Sequence, residues 1–247
     1  MREPLKAIVM AAGKGTRLRT EGVDLPKVLR QAAGKPLLEH VLGQLDFLPA
    51  QDVVLVVGYE GDKVVAAFPG YPHAFQSPQL GTGHAVQCAQ GALKDFEGDI
   101  LICSGDMPLM SRRAYLQLWD QHVREGNACT LMAGVVDDPG AYGRVIRNED
   151  GGFARIVEAK DCTEEERQVK EINAGVYIFR SRDLWRSLTT LRPDNAQGEY
   201  YLTDAPIWLV KQGERVGVCA ACTEEELLGV NTLEQLQQVE EILLKRQ

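Results

Sequence analysis

The stretch LKAIVMAAGKGTRL, residues 5–18, decides the fold of this chain. Its first part, residues 5–9, is a short apolar run that ends in small residues, which predicts a buried β-strand. The glycines that follow permit positive φ angles and let bare backbone amides approach a ligand closely. Such a turn after a buried strand is suited to holding phosphates. The residues of this expected phosphate-binding loop are Met10, Ala11, Ala12, Gly13, Lys14, Gly15 and Thr16.

Three basic residues strengthen the prediction of a triphosphate site at this loop, namely Lys14, Arg17 and Lys27. They add full positive charges to the backbone donors, and the planar guanidinium of an arginine fits phosphate oxygens. The loop does not match G-x-x-x-x-G-K-[ST], and Leu18 stands where G-x-G-x-x-G needs its third glycine. A hydride-transfer dinucleotide-binding domain is therefore disfavoured. The plain alternative is a turn that merely needs glycine, which Thr16, Arg17 and Lys27 together oppose.

The composition indicates a globular protein that acts on small molecules. The 247 residues carry a formal net charge of −8, which argues against nucleic acid or an anionic membrane as a partner. An acidic chain that gathers positive charge at one loop suits a small anionic substrate. No apolar stretch has the form of a signal segment or the length of a membrane span, so we expect a cytoplasmic protein.

The six cysteines are expected to be reduced, because most of them lie within apolar runs. The spacing Cys219-Ala220-Ala221-Cys222 is that of a metal or redox pair, but no second pair with ligand spacing accompanies it. The pattern therefore favours ordinary core residues over a metal or redox site.

Strands alternate with helices through the first half of the chain, which predicts a largely parallel sheet. After the first strand, further strands are predicted over residues 52–57, 73–76, 99–104 and 128–136. The predicted fold class is therefore α/β, with a Rossmann-like, mixed but mainly parallel sheet flanked by helices. Residues 1–136 are expected to form its nucleotide-binding half.

The pattern changes after residue 136, where two short strands joined by a turn, 143–147 and 153–158, predict a hairpin. We expect residues 137–225 to form a smaller, β-rich sugar-binding lobe within a single domain that covers residues 1–247. Glu158 ends one strand and Asn173 begins another, so both are placed to project into a cleft and bond sugar hydroxyls. A surface or capping role is the alternative for each. Residues 226–247 are expected to hold the last helix.

Asp106 is the predicted metal ligand. It follows the strand 99–104, and an aspartate beyond the carboxyl end of a central strand lies where open α/β sheets bind ligands. Opposite a phosphate-binding loop, this carboxylate is a natural ligand for Mg²⁺. A turn aspartate before a proline is the alternative. Asn231 is either the N-cap of the last helix or a second metal ligand.

The stretch QLGTGHA, residues 79–85, predicts a second contact with the nucleotide. Thr82 is expected to cap a helix that begins there, so Gly81 and Thr82 face the ligand of the first loop. A base edge or a phosphate fits this position, and an ordinary capped helix is the alternative. His84 at the helix start is interpreted as structural and not catalytic.

The chain carries the motifs AAGKGTRL, LPKVL, QLGTGHAV, GDMPL, YGRVI, IVEAKD, EINAGVY, NAQGEYYLTD and GVN, in this order. In these motifs and their spacings it resembles the uridyltransferase domain of the bacterial bifunctional N-acetylglucosamine-1-phosphate uridyltransferase/glucosamine-1-phosphate acetyltransferase family. The AAGKGTR loop alone marks the wider sugar nucleotidyltransferase superfamily. The motifs NAQGEYYLTD and EINAGVY point to this branch of it.

The resemblance implies a role for each candidate residue. The residues implied for the uridine nucleotide are Met10, Ala11, Ala12, Gly13, Gln76, Gly81 and Thr82. The implied catalytic residues are Asp106 and two residues that contact the phosphates, Arg17 and Lys27. The implied Mg²⁺ ligands are Asp106 and Asn231. The implied contacts of the amino sugar are Gly143, Glu158 and Asn173. Some family members have an aromatic residue where this chain has Ser104. Ser104 is therefore expected to contact the nucleotide through the backbone or only weakly, and Gly105 is a further expected nucleotide contact.

The reaction that the resemblance implies joins UTP and N-acetylglucosamine 1-phosphate into UDP-N-acetylglucosamine and releases pyrophosphate, with Mg²⁺ as cofactor. The sugar phosphate is already anionic, so it can attack the α-phosphorus in line without a general base or a covalent intermediate. One alternative is transfer to another sugar 1-phosphate, such as glucose 1-phosphate, from UTP or dTTP. The other is a non-catalytic nucleotide-sugar sensor, which need not retain Arg17, Lys27, Asp106 and Asn231 together.

The end of the chain differs from the family. Its members continue into a left-handed β-helix of hexapeptide repeats that carries the acetyltransferase and forms trimers, whereas this sequence ends at Gln247 without such repeats. We therefore expect no β-helix acetyltransferase domain. A truncated form and a standalone pyrophosphorylase both fit, and the oligomeric state is left open.

Overall fold

The structure, a computed structural model, describes residues 3–15, 18 and 25–246. The strands in this part of the chain are β1 (Leu5–Ala11), β2 (Gln31–Ala32), β3 (Lys35–Pro36), β4 (Val53–Val57), β5 (His73–Phe75), β6 (Asp99–Ser104), β7 (Cys129–Val135), β8 (Arg144–Arg147), β9 (Phe153–Val157), β10 (Glu171–Arg180) and β11 (Val216–Cys219). The helices are α1 (Leu37–Gln44), α2 (Gly61–Ala67), α3 (Thr82–Cys88), α4 (Gln90–Leu93), α5 (Arg112–Glu125), α6 (Glu164–Arg167), α7 (Ser181–Leu188), α8 (Asp204–Lys211) and α9 (Leu233–Lys245). None of the helices in the described ranges is long and apolar enough to cross a membrane.

The strands of the larger sheet run in the order β11-β7-β10-β6-β1-β4-β5. β1 lies parallel between β4 and β6, with Val9 opposite both Leu55 and Cys103. β5 and β11 are also parallel to their neighbours, whereas β10 is inserted antiparallel to both β6 and β7. Most pairs along this path are parallel, and helices flank the sheet, which confirms the predicted fold class.

The predicted hairpin is present as β8 and β9, which pair antiparallel and join the sheet where Arg144 meets Ile172 of β10. β10 and β11 also lie within residues 137–225, yet they complete the sheet that starts with β1. The boundary at residue 136 therefore does not divide the sheet. Separate nucleotide and sugar halves remain a prediction about binding.

Both faces of the sheet are buried. Successive side chains of a strand point to opposite faces, so Ala7 and Val9 of β1 pack in a cluster with α1 and α5, whereas Ile8 packs in a second cluster with α3. A strand covered on both faces is apolar throughout instead of alternating, as in β4, where every residue is buried. This packing fixes the strand ends from which the loops depart.

A smaller third cluster attaches α9 to the first half of the chain. Val239 of α9 packs there with Leu37 of α1 and with Val230. The backbone N–H of Val230 donates to the carbonyl of Asp106 at 2.9 Å. Asn231 is therefore held beside the end of β6, although the two segments lie far apart in the sequence.

One helix cap differs from the prediction, and another excludes one of the two roles that were considered for Asn231. α3 begins at Thr82 itself, after Gly81, and no side chain caps it. Because Thr82 lies in the first turn, its Oγ1 instead accepts a hydrogen bond from the Leu202 backbone at 3.0 Å. The N-cap of α9 is Thr232, in a capping box. Asn231 is therefore not the cap, and its side chain is available for another role.

All six cysteines are free thiols. Burial raises the pKa of Cys219, and it raises the pKa of Cys222 to about 12. The thiolate is the form that binds metals and attacks disulfides. This pair is thus protonated at neutral pH, in agreement with its interpretation as part of the core.

Candidate active site

Two neighbouring strand ends create the candidate site. β1 and β6 are parallel, with Met10 opposite Ser104, so the loops after them leave the sheet at the same edge. This is the edge at which open α/β sheets bind ligands. Two adjoining cavities of similar size, about 220 and 230 Å³, lie here and share Met10, Thr82, Ser104 and Asp106 as lining residues. They are termed the first and the second cavity below.

The first cavity brings together most of the residues predicted to bind the nucleotide. Its lining includes Met10, Ala11, Ala12, Gly13, Gln76, Gly81, Thr82 and Ser104, with Lys27 and Asp106. Lys14 and Gly15 do not line it, and Lys14 is exposed to solvent. The first part of the predicted loop therefore faces the cavity and its later part does not.

Three further predicted residues do not face the cavity or cannot be placed. Gly105 is buried beneath the site, where its N–H donates to the carbonyl of Met10 at 2.9 Å. This bond ties the loop after β6 to the end of β1, which gives Gly105 a structural role. Thr16 and Arg17 lie outside the described residues.

The second cavity contains the three residues predicted to contact a sugar, Gly143, Glu158 and Asn173. Asn173 is buried in β10 at a bulge, where Gly175 has φ +68° and the pairing register with β7 shifts. A bulge bends a strand and redirects its side chains. The Asn173 amide donates to the hydroxyl of Tyr177 at 2.6 Å and accepts from the Gly175 N–H at 3.2 Å. These contacts fix Asn173 in one orientation at the cavity wall.

A lysine and two oxygen-bearing side chains meet where the cavities join. The Lys27 Nζ forms an ion pair with the Asp106 carboxylate and lies 3.0 Å from Asn231 Oδ1. The side chains of Lys27 and Asp106 are each 14% exposed, so water screens this pair only partly. The three side chains come from three separate segments of the chain, and they place opposite charges side by side where the cavities join.

The residues predicted as metal ligands fit a divalent cation. Carboxylate and amide oxygens are hard donors of the type that Mg²⁺ prefers, and Mg²⁺ usually completes its shell with water and substrate phosphates. In the structure, the Lys27 ammonium stands in for such a cation, since Asp106 and Asn231 both direct an oxygen at it. Among the described residues, no three His, Cys, Asp or Glu side chains form a metal-binding group. Asp106 and Asn231 are the two oxygen donors here that would hold such an ion.

Glu158 is an acidic group held in a poorly hydrated position. Burial raises the pKa of its carboxyl; the hydrogen bond that Thr203 Oγ1 donates at 3.1 Å lowers it, and the nearby charges of Asp161 and Asp204 raise it. The net effect of these contributions is a raised pKa of Glu158. The carboxylate is therefore an acceptor that the fold keeps at the cavity at some cost in stability.

Replacing Glu158 by glutamine is expected to stabilise the folded protein at about pH 8 and to change its stability little at about pH 4. Because the folded pKa is raised, ionisation disfavours the folded state above that pKa, and this penalty disappears as the pH falls towards the unfolded pKa. Glutamine stays neutral and its carbonyl still accepts from Thr203. Denaturant titrations of both proteins across this range measure the effect. A difference in the free energy of unfolding that is constant with pH would contradict it.

Sequence reasoning missed several residues that line the site. The hydroxyl of Tyr142 donates to the carbonyl of Leu227 at 2.7 Å, which ties the wall of the second cavity to the segment that carries Asn231. Glu199 lines the first cavity and Thr203 the second. All three belong to motifs that were recognised as YGRVI and NAQGEYYLTD. The motifs marked the right segments but not which of their side chains face the cavities.

Gly13 and Gly15 are expected to respond differently to alanine. A Cβ at Gly13 meets no heavy atom within 4 Å, so Gly13→Ala should unfold at an unchanged temperature. Its affinity for UTP should fall about tenfold, because the methyl group keeps phosphates away from the backbone. Gly15 has φ +60°, and a Cβ there would lie 2.7 Å from Lys27 Cβ. Gly15→Ala should therefore lose about 1 kcal/mol or more of stability.

Calorimetric unfolding and UTP titration of the two variants separate these effects. Gly15→Ala serves as the control for a loop glycine that is required by the fold itself. If Gly13→Ala bound UTP as tightly as the parent protein, the predicted role of this loop would be wrong.

Comparison with known proteins places the chain among nucleotidyltransferases. A family model described as MobA-like NTP transferase domain matches residues 7–204. The bifunctional protein GlmU of Streptococcus suis (strain 98HAH33) is 44% identical over 241 residues, which are 97% of this chain and 52% of that protein. The bifunctional protein GlmU of Brevibacillus brevis (strain 47) is 42% identical over 243 residues, 98% of this chain and 52% of that protein. The chain thus spans about half the length of the curated relatives it matches.

A solved structure supports the fold independently of sequence. A crystal structure of UDP-glucose pyrophosphorylase in complex with UDP-glucose superposes with a TM-score of 0.77 at 16% identity, and the match covers 100% of both chains. At this identity the likeness establishes the fold alone. The relatives named above confirm the resemblance that the sequence motifs indicated.

Proposed function

Because this chain belongs to the MobA-like NTP transferase family, we propose that it transfers the uridylyl group of UTP to N-acetylglucosamine 1-phosphate. The products are UDP-N-acetylglucosamine and pyrophosphate. Family membership confirms the predicted class of enzyme, a nucleotidyltransferase. The choice of the two substrates is supported by the motifs of the sequence and by the likeness to the GlmU relatives.

One observation carries the proposal: two adjoining cavities share the strand edge at which Lys27, Asp106 and Asn231 meet. A nucleotide in the first cavity and a sugar phosphate in the second would bring their phosphates together at this edge. Holding two reactants in a reactive alignment replaces an encounter in solution and contributes a large part of a rate enhancement. The geometry therefore supports a transfer between two bound phosphates.

The chemistry requires alignment and charge neutralisation and no proton removal. An anionic oxygen of the sugar phosphate forms a bond to the α-phosphorus of UTP. The bond from that phosphorus to the oxygen that bridges it to the β-phosphorus breaks, and pyrophosphate leaves with the electron pair. No side chain needs to act as nucleophile or general base. This agrees with a site lined by backbone, lysine and hard oxygen donors.

The residues of this chain then have separate roles in binding the substrates and neutralising their charge. The backbone around Gly13 approaches the phosphates, and Lys27, with Arg17 of the same loop region, neutralises negative charge on them. Asp106 and Asn231 would hold Mg²⁺, which supplies further neutralisation of phosphate charge when bound. Glu158 and Asn173 offer acceptors and donors to the hydroxyl and amide groups of the sugar.

Pyrophosphate release from UTP, measured with Mg²⁺ and a panel of acceptors, tests the proposal. The panel is N-acetylglucosamine 1-phosphate, glucosamine 1-phosphate, glucose 1-phosphate and no sugar, with dTTP as a second donor. We expect pyrophosphate release only from the pair of UTP and N-acetylglucosamine 1-phosphate. Release with another pair would keep the mechanism and replace the substrates, and UTP binding without release from any pair would favour a sensor.

A further inference from the structure

The Gln76 side chain offers one polar atom to the first cavity. Gln76 is 4% exposed, and its backbone N–H donates to the carbonyl of Val57 at 2.7 Å, so the residue is firmly held. Its side-chain Nε2 donates to the carbonyl of Gly81 at 2.9 Å. A carbonyl oxygen only accepts hydrogen bonds, which determines which end of the amide is the nitrogen. The amide oxygen, Oε1, is therefore the atom left for a ligand.

His84 occupies the second N–H of the same amide. Its Nδ1 lies 3.3 Å from Gln76 Nε2. An amide nitrogen is always a donor, so Nδ1 must be the acceptor and the ring proton sits on Nε2. That nitrogen lies 3.8 Å from Cys88 Sγ, one turn further along α3. With Gly81 and His84 as partners, both N–H groups of Gln76 are used within the protein.

We propose that His84 is a positioning residue that holds the Gln76 amide with its oxygen towards the ligand, so that the first cavity selects a nucleobase whose N–H donor is the ring nitrogen N3. The inference deepens the proposed function and rests on nucleotide binding in this cavity. Uracil and thymine carry an N–H at N3, whereas cytosine carries a bare acceptor nitrogen there. Two acceptors facing each other leave a buried polar group unpaired, which costs affinity.

The Gly81 carbonyl accepts from one N–H of the amide, and His84 accepts from the other. Without His84, the second N–H of a buried amide has no partner, so the side chain is expected to turn towards another acceptor and to withdraw Oε1 from the cavity. A site discriminates strongly only when its buried polar groups are left unpaired by the wrong ligand. A fixed amide presents only its oxygen to the ligand, so Gln76 can discriminate between nucleobases.

The test compares UTP and CTP binding by calorimetric titration in the parent protein, His84→Leu, His84→Asn and Cys88→Ala. In His84→Leu we expect UTP affinity to fall about tenfold and CTP affinity to stay unchanged or rise, so the preference for UTP shrinks. His84→Asn keeps an acceptor near the position of Nδ1 and should retain most of the preference. Cys88→Ala removes only the outer neighbour and should bind like the parent. Thermal unfolding verifies that each variant is folded.

Several outcomes would overturn the inference. An unchanged ratio of UTP to CTP affinity in folded His84→Leu would show that His84 does not set the selectivity. An equal loss for both nucleotides would mean a merely structural role, and a failure of His84→Asn to restore the preference would exclude the acceptor as its basis. If neither nucleotide binds the parent protein, the inference fails as well. Nucleotide binding is measured without sugar. A lack of turnover in the separate assay would therefore contradict the proposed reaction without affecting this inference.

Discussion

Replacing Asp106 by asparagine should lower the rate of pyrophosphate release by about 10²–10³-fold. The change removes the negative charge at the point where the two cavities join, beside Lys27. Asparagine keeps the shape of the side chain, and the backbone carbonyl of Asp106 still accepts from Val230. We therefore expect the variant to fold and, without metal, to bind UTP much like the parent protein. Turnover assays and UTP titrations measure the two quantities separately.

A matched control for this variant is Asp95→Asn, since Asp95 is an exposed acidic residue. It removes the same charge from the protein without touching the site and should retain the full rate. Turnover of Asp106→Asn at the rate of this control would show that the carboxylate is not part of the reacting site, whatever the substrates are.

Replacing Lys27 by methionine should have two opposite effects. Turnover is expected to fall by about 10²-fold, because the variant loses the charge that we propose stabilises the phosphates. In the absence of nucleotide, the affinity for Mn²⁺ as a probe cation should rise. The Lys27 ammonium faces the same oxygens of Asp106 and Asn231 that would bind a metal, and two cations repel each other there. Methionine has a similar length and no charge, so it removes this competition.

Electron paramagnetic resonance titration of Mn²⁺ measures the second effect without any reaction. The control is Lys35→Met, since Lys35 is 58% exposed and pairs with Glu39 on the surface; its Mn²⁺ affinity should match that of the parent protein. Equal or weaker Mn²⁺ binding in Lys27→Met would contradict the assignment of the two oxygens as a cation site.

The strand ends of the site could be predicted from the sequence because the cause is local. The apolar run before Gly13 and the run before Asp106 each indicate a buried strand, and parallel neighbours place their ends at one edge. Gly81 follows from the position of a predicted helix start, whereas Gln76 was identified only through the resemblance to a family. These predictions needed no knowledge of which side chains pair.

The contacts between distant segments could not be predicted in this way. The ion pair of Lys27 with Asp106 joins two segments that are distant in the sequence, and the approach of Asn231 depends on how α9 packs in the third cluster. Thr82 was expected to cap α3, but its hydroxyl bonds Leu202, because the position of that segment is a tertiary property. A pattern of residues reports local structure, whereas such partners are set by packing.

Strand β10, in the second half of the chain, is a further element whose neighbours could not be predicted from the sequence. The sequence predicts a strand over residues 172–179 but not its place between β6 and β7, where it runs antiparallel to both. Nor does it reveal the bulge at Gly175, which aims Asn173 at the second cavity. The predicted sugar contacts therefore rest on the motifs, and the shape of the second cavity that they line is set by the fold.

In the proposed reaction, the shared edge of the two cavities aligns a sugar phosphate for direct attack on the α-phosphorus of UTP. The stereochemical course of the reaction tests this most directly, with UTP that carries sulfur at the α-phosphorus in one stereoisomer and N-acetylglucosamine 1-phosphate as acceptor. A single in-line displacement predicts a nucleotide sugar with inverted configuration at that phosphorus. Retention would reveal a covalent intermediate and contradict the account, as would the absence of any nucleotide sugar when the unmodified substrates are supplied.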